Sequence, residues 1–97
     1  MSNIKDILKV LGLEAEGKYE NKFYVIPLVD SNDYARTYTT LSKNAVNTEF
    51  PNFEQNSAHS TTKITNYFEF DYNNITYNLF LIADFDEDKY YLKIGEK

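Results

Sequence analysis

Two turn signals, and the alternation on either side of them, tie the last third of this chain to one antiparallel arrangement. Asn73-Asn74 tolerates the left-handed backbone that a tight hairpin needs. A two-residue loop there sets Tyr72 opposite Ile75, Phe70 opposite Tyr77 and Phe68 opposite Leu79. A second two-residue loop at Glu87-Asp88 sets Phe85 opposite Tyr90, Ala83 opposite Leu92 and Leu81 opposite Ile94. A one-residue slip would turn every side chain over. Both loops nevertheless send the large apolar residues to one face, as expected of a three-strand meander over 62–72, 75–85 and 89–95. The other face carries Tyr67, Phe80, Ile82 and Tyr91 beside Glu69, Asp71, Asp84 and Asp86, and the acidic residues are expected to gather at one end of it.

Upstream, Ile4, Ile7, Leu8 and Leu11 fall at the i, i+3, i+4, i+7 spacing of one helical stripe. The expected helix covers 3–11, capped by Ser2 or Asn3, with Gly12 as a left-handed stop and Leu13 folding back in a Schellman closure. So short a helix must dock on the sheet to persist. Residues 14–21 read as a polar connection and Phe23–Val29 as a strand apolar on both faces, where Pro27 suggests an edge or a bulge. Asp30-Ser31-Asn32-Asp33 reads as a turn. The 31–45 segment carries two signals: Tyr34, Tyr38 and Leu41 have helical spacing, whereas Thr37, Thr39 and Thr40 favour a strand, and a strand paired with 23–29 is the reading taken. Residues 42–61 read as a long polar loop pinned by Phe50 and Phe53; a loop of that length is uncommon unless it is functional, mobile or a missed element. The expected fold is α+β: one domain over 1–97, a short N-terminal helix on a mostly antiparallel sheet of about five strands.

Composition excludes several function classes. The 97 residues contain no cysteine, so disulfide frameworks, thiolate metal sites and thiol catalysis are out. Net charge is −5, Arg36 is the only arginine, and Lys5, Lys9, Lys18 and Lys22 are scattered, so no basic stripe invites a phosphate backbone. The opening residues lack an apolar signal core and no run approaches a membrane span, which leads to the expectation of a cytoplasmic protein without membrane partners. Abundant Asn, Lys, Ile, Tyr and Phe point, as a matter of codons, to an AT-rich bacterial or phage genome.

No constellation has the form of a catalytic or cofactor site. Asp84, Asp86 and Asp88 have the opening spacing of a calcium loop, but its sixth and twelfth positions hold Lys89 and Gly95 where glycine and glutamate are needed. Solvation of a tight turn, with Lys63 and Lys89 as cross-strand partners, accounts for these residues more simply. His59 lies in a Ser-rich polar stretch without an orienting acid or an oxyanion turn. Glu69 with Asp71, and Asp84 with Asp86, lie about 7 Å apart on a strand face. Acid–base work at that spacing also needs a cleft, which so small a sheet seldom supplies. The expectation is a non-enzymatic protein with no cofactor and no metal.

What remains is the mixed aromatic and acidic face. Tyrosine-rich patches ringed by charge are typical of protein interfaces. The sequence reading is therefore a small acidic inhibitor that occludes a basic surface, such as a nucleic-acid-binding one, on a larger protein. Tyr67, Phe80, Ile82 and Tyr91 would form the desolvated centre, and Glu69, Asp71, Asp84, Asp86, Glu87 and Asp88 would meet Lys/Arg of the target. In general character the chain is similar to phage or mobile-element inhibitors of host defence, anti-CRISPR proteins among them, a likeness of composition rather than of motif. An immunity or antitoxin protein belongs to the same physical class, and a second copy of the chain could cover the face as a homodimer. The alternative is a small-molecule or peptide module with a pocket between helix and sheet lined by Tyr72, Tyr77 and Tyr90.

Overall fold

A computed structural model describes residues 3–13 and 16–97. Helix α1 covers Asn3–Val10, and strands β1 (Lys18–Glu20) and β2 (Phe23–Leu28) form a hairpin. Helix α2 covers Ser31–Thr48. Four strands follow: β3 (Glu54–His59), β4 (Lys63–Tyr72), β5 (Ile75–Asp84) and β6 (Lys89–Glu96). All six strands join one antiparallel sheet in the order β1-β2-β6-β5-β4-β3. The fold is α+β as expected, but the described residues form two helices and six strands rather than one helix and about five strands.

The α1 region follows its sequence closely. Gly12 sits at φ 75°. The Leu13 amide donates to Leu8 O at 2.8 Å and the Gly12 amide to Lys9 O at 3.0 Å, the paired bonds of a Schellman closure. Asn3 begins the helix, while the proposed cap Ser2 lies outside the described residues, as do residues 14 and 15 of the expected polar connection. The rest of that connection holds strand β1.

The 31–45 segment is helix, not strand. Asp30 is its N-cap: the Asp33 amide donates to Asp30 Oδ1 at 2.9 Å, and the Val29 amide donates to Asp33 Oδ2 at 3.0 Å. The cluster read as a turn is thus a reciprocal helix start. Tyr34, Leu41 and Ala45 then face the core, and the outer threonines return hydrogen bonds to the helix, Thr39 Oγ1 to Ala35 O and Thr48 Oγ1 to Asn44 O. Packing therefore outweighs the modest helix penalty of threonine. Asn44 Nδ2 donates to Leu11 O at 2.8 Å and Asn66 Nδ2 to Tyr34 Oη at 2.7 Å, fixing α2 to α1 and to β4. Asp30→Ala should lower stability by about 1 kcal/mol, read as a lower urea midpoint at unchanged slope. A loss below a few tenths would mean that Asp33 alone sustains the helix start.

Topology explains the length of α2. It carries the chain from β2 to the opposite sheet edge at β3, four strand spacings or about 19 Å away, and 18 residues of helix reach about 27 Å. The expected 42–61 loop is therefore the end of α2 followed by β3. Its two phenylalanines do pin it down: Phe50 stacks on Phe70 at 4.3 Å between centroids, and Phe53 lies 6.3 Å from Phe68. Pro27 sits where β2 has outrun β1, whose pairing stops at Lys18 opposite Val25, so that stretch of β2 is a local edge with respect to β1.

Both helices pack on one sheet face. Ile7, Leu11, Leu41 and Ala45 meet Tyr24, Ile26, Phe68, Phe70, Tyr77, Leu79, Leu81, Leu92 and Ile94 in a single buried cluster. In the meander the first hairpin has the expected register. The second does not: Ala83 faces Tyr90 and Leu81 faces Leu92, because the connection is the four residues Phe85–Asp88 and not Glu87-Asp88 alone. The slip is two residues, so every side chain keeps its face.

Candidate functional site

The centre of the face opposite the helices is built from alternate residues of four strands, β2, β6, β5 and β4. Cross-strand neighbours run Val25, Lys93, Phe80, Tyr67 in one row and Pro27, Tyr91, Ile82, Thr65 in the next. All four expected aromatic and aliphatic residues, Tyr67, Phe80, Ile82 and Tyr91, therefore lie together on this face. Neither helix covers it, yet Ile82 is only 6% exposed although it stands outside the helix-side core cluster. The Tyr67 and Phe80 rings stand 5.0 Å apart and Phe23 meets Phe80 edge-on at 6.0 Å. Lys93 Nζ lies 4.9 Å from the Phe23 ring centroid and 5.1 Å from that of Phe80. A lysine held against two ring faces gains a cation–π attraction, and its methylene stem shields the apolar strip.

Phe23, Val25, Pro27 and Lys93 belong to this surface although the meander pattern alone does not name them. Their signal was the apolar character of both faces of β2, which only becomes a site once β2 is paired with β6. Gly95 makes room for Phe23: a Cβ there would lie 2.9 Å from Phe23 Cδ1 and 2.8 Å from Lys22 O. The ring rests where any other residue would displace it.

The acidic residues divide between two ends of the face. Asp71 pairs with Thr76 next to the Asn73-Asn74 turn, whereas Asp84 pairs with Lys63 at the far end of the same two strands. Glu69 and Asp71 thus stand roughly 20–26 Å along the strand from Asp84, and Asp86, Glu87 and Asp88 sit beyond Asp84 in the loop. The expectation of a single acidic end fails because Glu69-Asp71 and Asp84-Asp86 each close their own strand, and the strands run in opposite directions.

Several of these carboxylates are already engaged. Glu69 Oε1 accepts from Tyr67 Oη at 2.6 Å and from Lys97 Nζ at 3.1 Å, which holds Glu69 below the usual carboxylate range. Asp71 is lowered too, by hydrogen bonds from Thr76 Oγ1 and Asn52 Nδ2, both 2.6 Å. Asp84 accepts from the Glu87 amide and lies 3.8 Å from Lys63 Nζ; Glu87 lies 3.7 Å from Lys89 Nζ. Of Asp84, Asp86 and Asp88, for which a turn-solvating role is expected from sequence, Asp84 has its cross-strand Lys63, while the ion pair of Lys89 is with Glu87. Among the described residues no ion pair within 4 Å engages Asp86 or Asp88.

Tyr67 records the electrostatics of the site. Burial of the hydroxyl, its bond to Glu69 and the surrounding carboxylate charge push its pKa up to about 12, with Asn78 Oδ1 at 2.8 Å as a second acceptor for the same proton. A pKa raised in the folded state means stability that is fully present below the ordinary tyrosine value near 10 and lost as pH rises towards 12. In an alkaline absorbance titration Tyr67 should be among the last tyrosines to ionise. Tyr67→Phe should delete that late step, and an unchanged profile would show that the Tyr67–Glu69 bond does not persist in solution.

Other arrangements are weaker. His59 is exposed on the edge strand β3. Among the described residues no group of three or more His, Asp or Glu is placed to hold a metal ion, and no helix is long and apolar enough to cross a membrane. Tyr77 is buried within the core cluster, and the hollow between α2 and β2 measures about 210 Å³ and includes none of Tyr72, Tyr77 and Tyr90. That is small for a ligand pocket. A larger groove of about 750 Å³ lies on the helix-free face along β2 and β6. Comparison with protein-family models, curated proteins and solved structures finds no match to this chain.

Proposed function

We propose that this chain is a non-enzymatic protein-binding domain that uses its helix-free sheet face to occlude a basic surface of a larger protein. The observation that carries the proposal is the strip of half-buried Phe23, Phe80, Tyr67 and Tyr91 across four strands, with Ile82 buried among them, on the face away from both helices. Aromatic residues are enriched at protein interfaces, and tyrosine is among the residues that dominate their binding energy. A net charge of −5 favours a cationic partner over a second copy of the chain, since two copies repel. Inhibition of a host defence enzyme by occlusion is the biological role that the composition suggests, with carboxylates standing where phosphates would otherwise bind.

The test is a pull-down from lysate of an AT-rich bacterium, identified by mass spectrometry, with wild type, Phe80→Ala and Asp84→Lys/Asp86→Lys as parallel baits. One cationic protein retained by wild type, lost by a folded Phe80→Ala bait and binding again when purified supports the reading. Equal retention by all three baits, or a chain that elutes as a stable dimer with this face protected, overturns it.

A further inference from the structure

We infer that the groove along β2 and β6 takes an extended cationic segment of the partner, with basic side chains at both ends and apolar ones between. The inference rests on the reading of the helix-free face as the partner surface and specifies the chemistry recognised there. Phe23, Val25 and Pro27 of β2 and Tyr91 of β6 line the groove and present apolar surface. Glu20 stands at one end, opposite Phe23, and Asp88 at the other, just before β6 begins.

Charge accounting selects a cation. Among the described residues, four carboxylates and two lysines line the groove. Lys89 lies against Glu87, and Lys93 keeps its charge while resting against the rings of Phe23 and Phe80, so carboxylates outnumber lysines along the lining. Asp84 is committed to Lys63. Glu20 and Asp88 have no ion pair within 4 Å among the described residues, so the unanswered charge is negative at both ends of an apolar trough. From the Phe23 row to the Leu28 row is five residue steps, or about 17 Å. In an extended peptide that distance separates side chains four to six positions apart, and alternate residues between them point the same way. A strand-like segment with a basic residue at each end and two aliphatic residues between matches the trough in length, charge and polarity.

The experiment is an amide chemical-shift titration of the full chain with the synthetic peptide acetyl-RTVTLTR-amide, taken to about 2 mM because so small a contact binds weakly. The control peptides are acetyl-ETVTLTE-amide and acetyl-RTSTSTR-amide. Saturable shifts confined to 20–28 and 84–93, with both controls markedly weaker, are the expected result. In Glu20→Lys/Asp88→Lys the arginine peptide should bind about tenfold more weakly, since each rim pair contributes up to about 1 kcal/mol. An unchanged spectrum elsewhere would show that the variant remains folded. No shifts at 2 mM, equal affinity for the glutamate peptide, or shifts centred outside the groove would overturn the inference. If the peptide fails while partner capture still depends on Phe80, the groove assignment falls and the face assignment stands; if capture is also independent of Phe80, both fall.

Discussion

Phe70→Ala is expected to remove about 3–5 kcal/mol of folding stability, the largest effect of any single truncation considered for this chain. Phe70 is 1% exposed in β4, stacked on Phe50 at 4.3 Å with the rings 20° from parallel, and 6.4 Å from Tyr77. Phe50 in turn anchors the connection from α2 to β3. There the Asp71 amide donates to Pro51 O, and the Asn52 side chain to the Asp71 carboxylate. Removing one ring therefore opens a cavity and loosens the segment that brings the edge strand into place. Domains of this size have about 5–15 kcal/mol in total, so the loss is a large share of the whole and should lower the urea midpoint strongly. Urea denaturation of wild type, Phe50→Ala, Phe70→Ala and the double variant measures both the loss and the coupling. The coupling should be about 0.5–1.5 kcal/mol, the range of a stacked aromatic pair. A loss below about 1.5 kcal/mol would mean that the core re-collapses around the site, and zero coupling would mean that the stack contributes no more than two separate burials.

The meander was legible because two turns and their flanking alternation had to agree on one face, and they did so even though the second hairpin slips by two residues. The α1 closure was legible from Gly12 and the apolar spacing before it. Helix α2 was not, because its strongest signal is a cap: Asp30 and Asp33 serve a turn and a helix start equally well in sequence, and the threonines that follow prefer strands in isolation. What decides the matter is Leu41 and Ala45 reaching the sheet, a tertiary event. β1 and β3 are exposed at every residue, so neither carries the alternation by which half-buried strands are recognised. They form through backbone pairing at the two sheet edges. The site was half legible. Its central residues follow from the meander, while Phe23, Val25, Pro27 and Lys93 join it only through the β2–β6 pairing. The division of the carboxylates between two ends follows from strand direction rather than from residue type.

Phe80→Ala should weaken binding of the partner by about 2 kcal/mol or more, roughly thirtyfold, while leaving the fold intact. Phe80 occupies the middle of the strip: Tyr67 lies on one side, Phe23 on the other, and the Lys93 ammonium rests against its ring. Truncation removes the side chain that all three share, so the neighbours lose the arrangement that presents them. Charge reversal at Asp84 and Asp86 should act differently. Asp84 is engaged by Lys63 and by the Glu87 amide, and Asp86 lies in an exposed loop, so both belong to a solvated rim. Rim charges chiefly set the encounter rate and its salt dependence. The purified complex should therefore lose affinity through faster dissociation in Phe80→Ala, and through slower association in Asp84→Lys/Asp86→Lys, with the second effect fading as salt shortens the screening length to a few ångströms. Surface plasmon resonance at low and high salt separates the two. If Phe80→Ala leaves the dissociation rate unchanged, or if high salt abolishes wild-type binding altogether, the apolar strip is not the energetic centre and the carboxylates carry the interface instead.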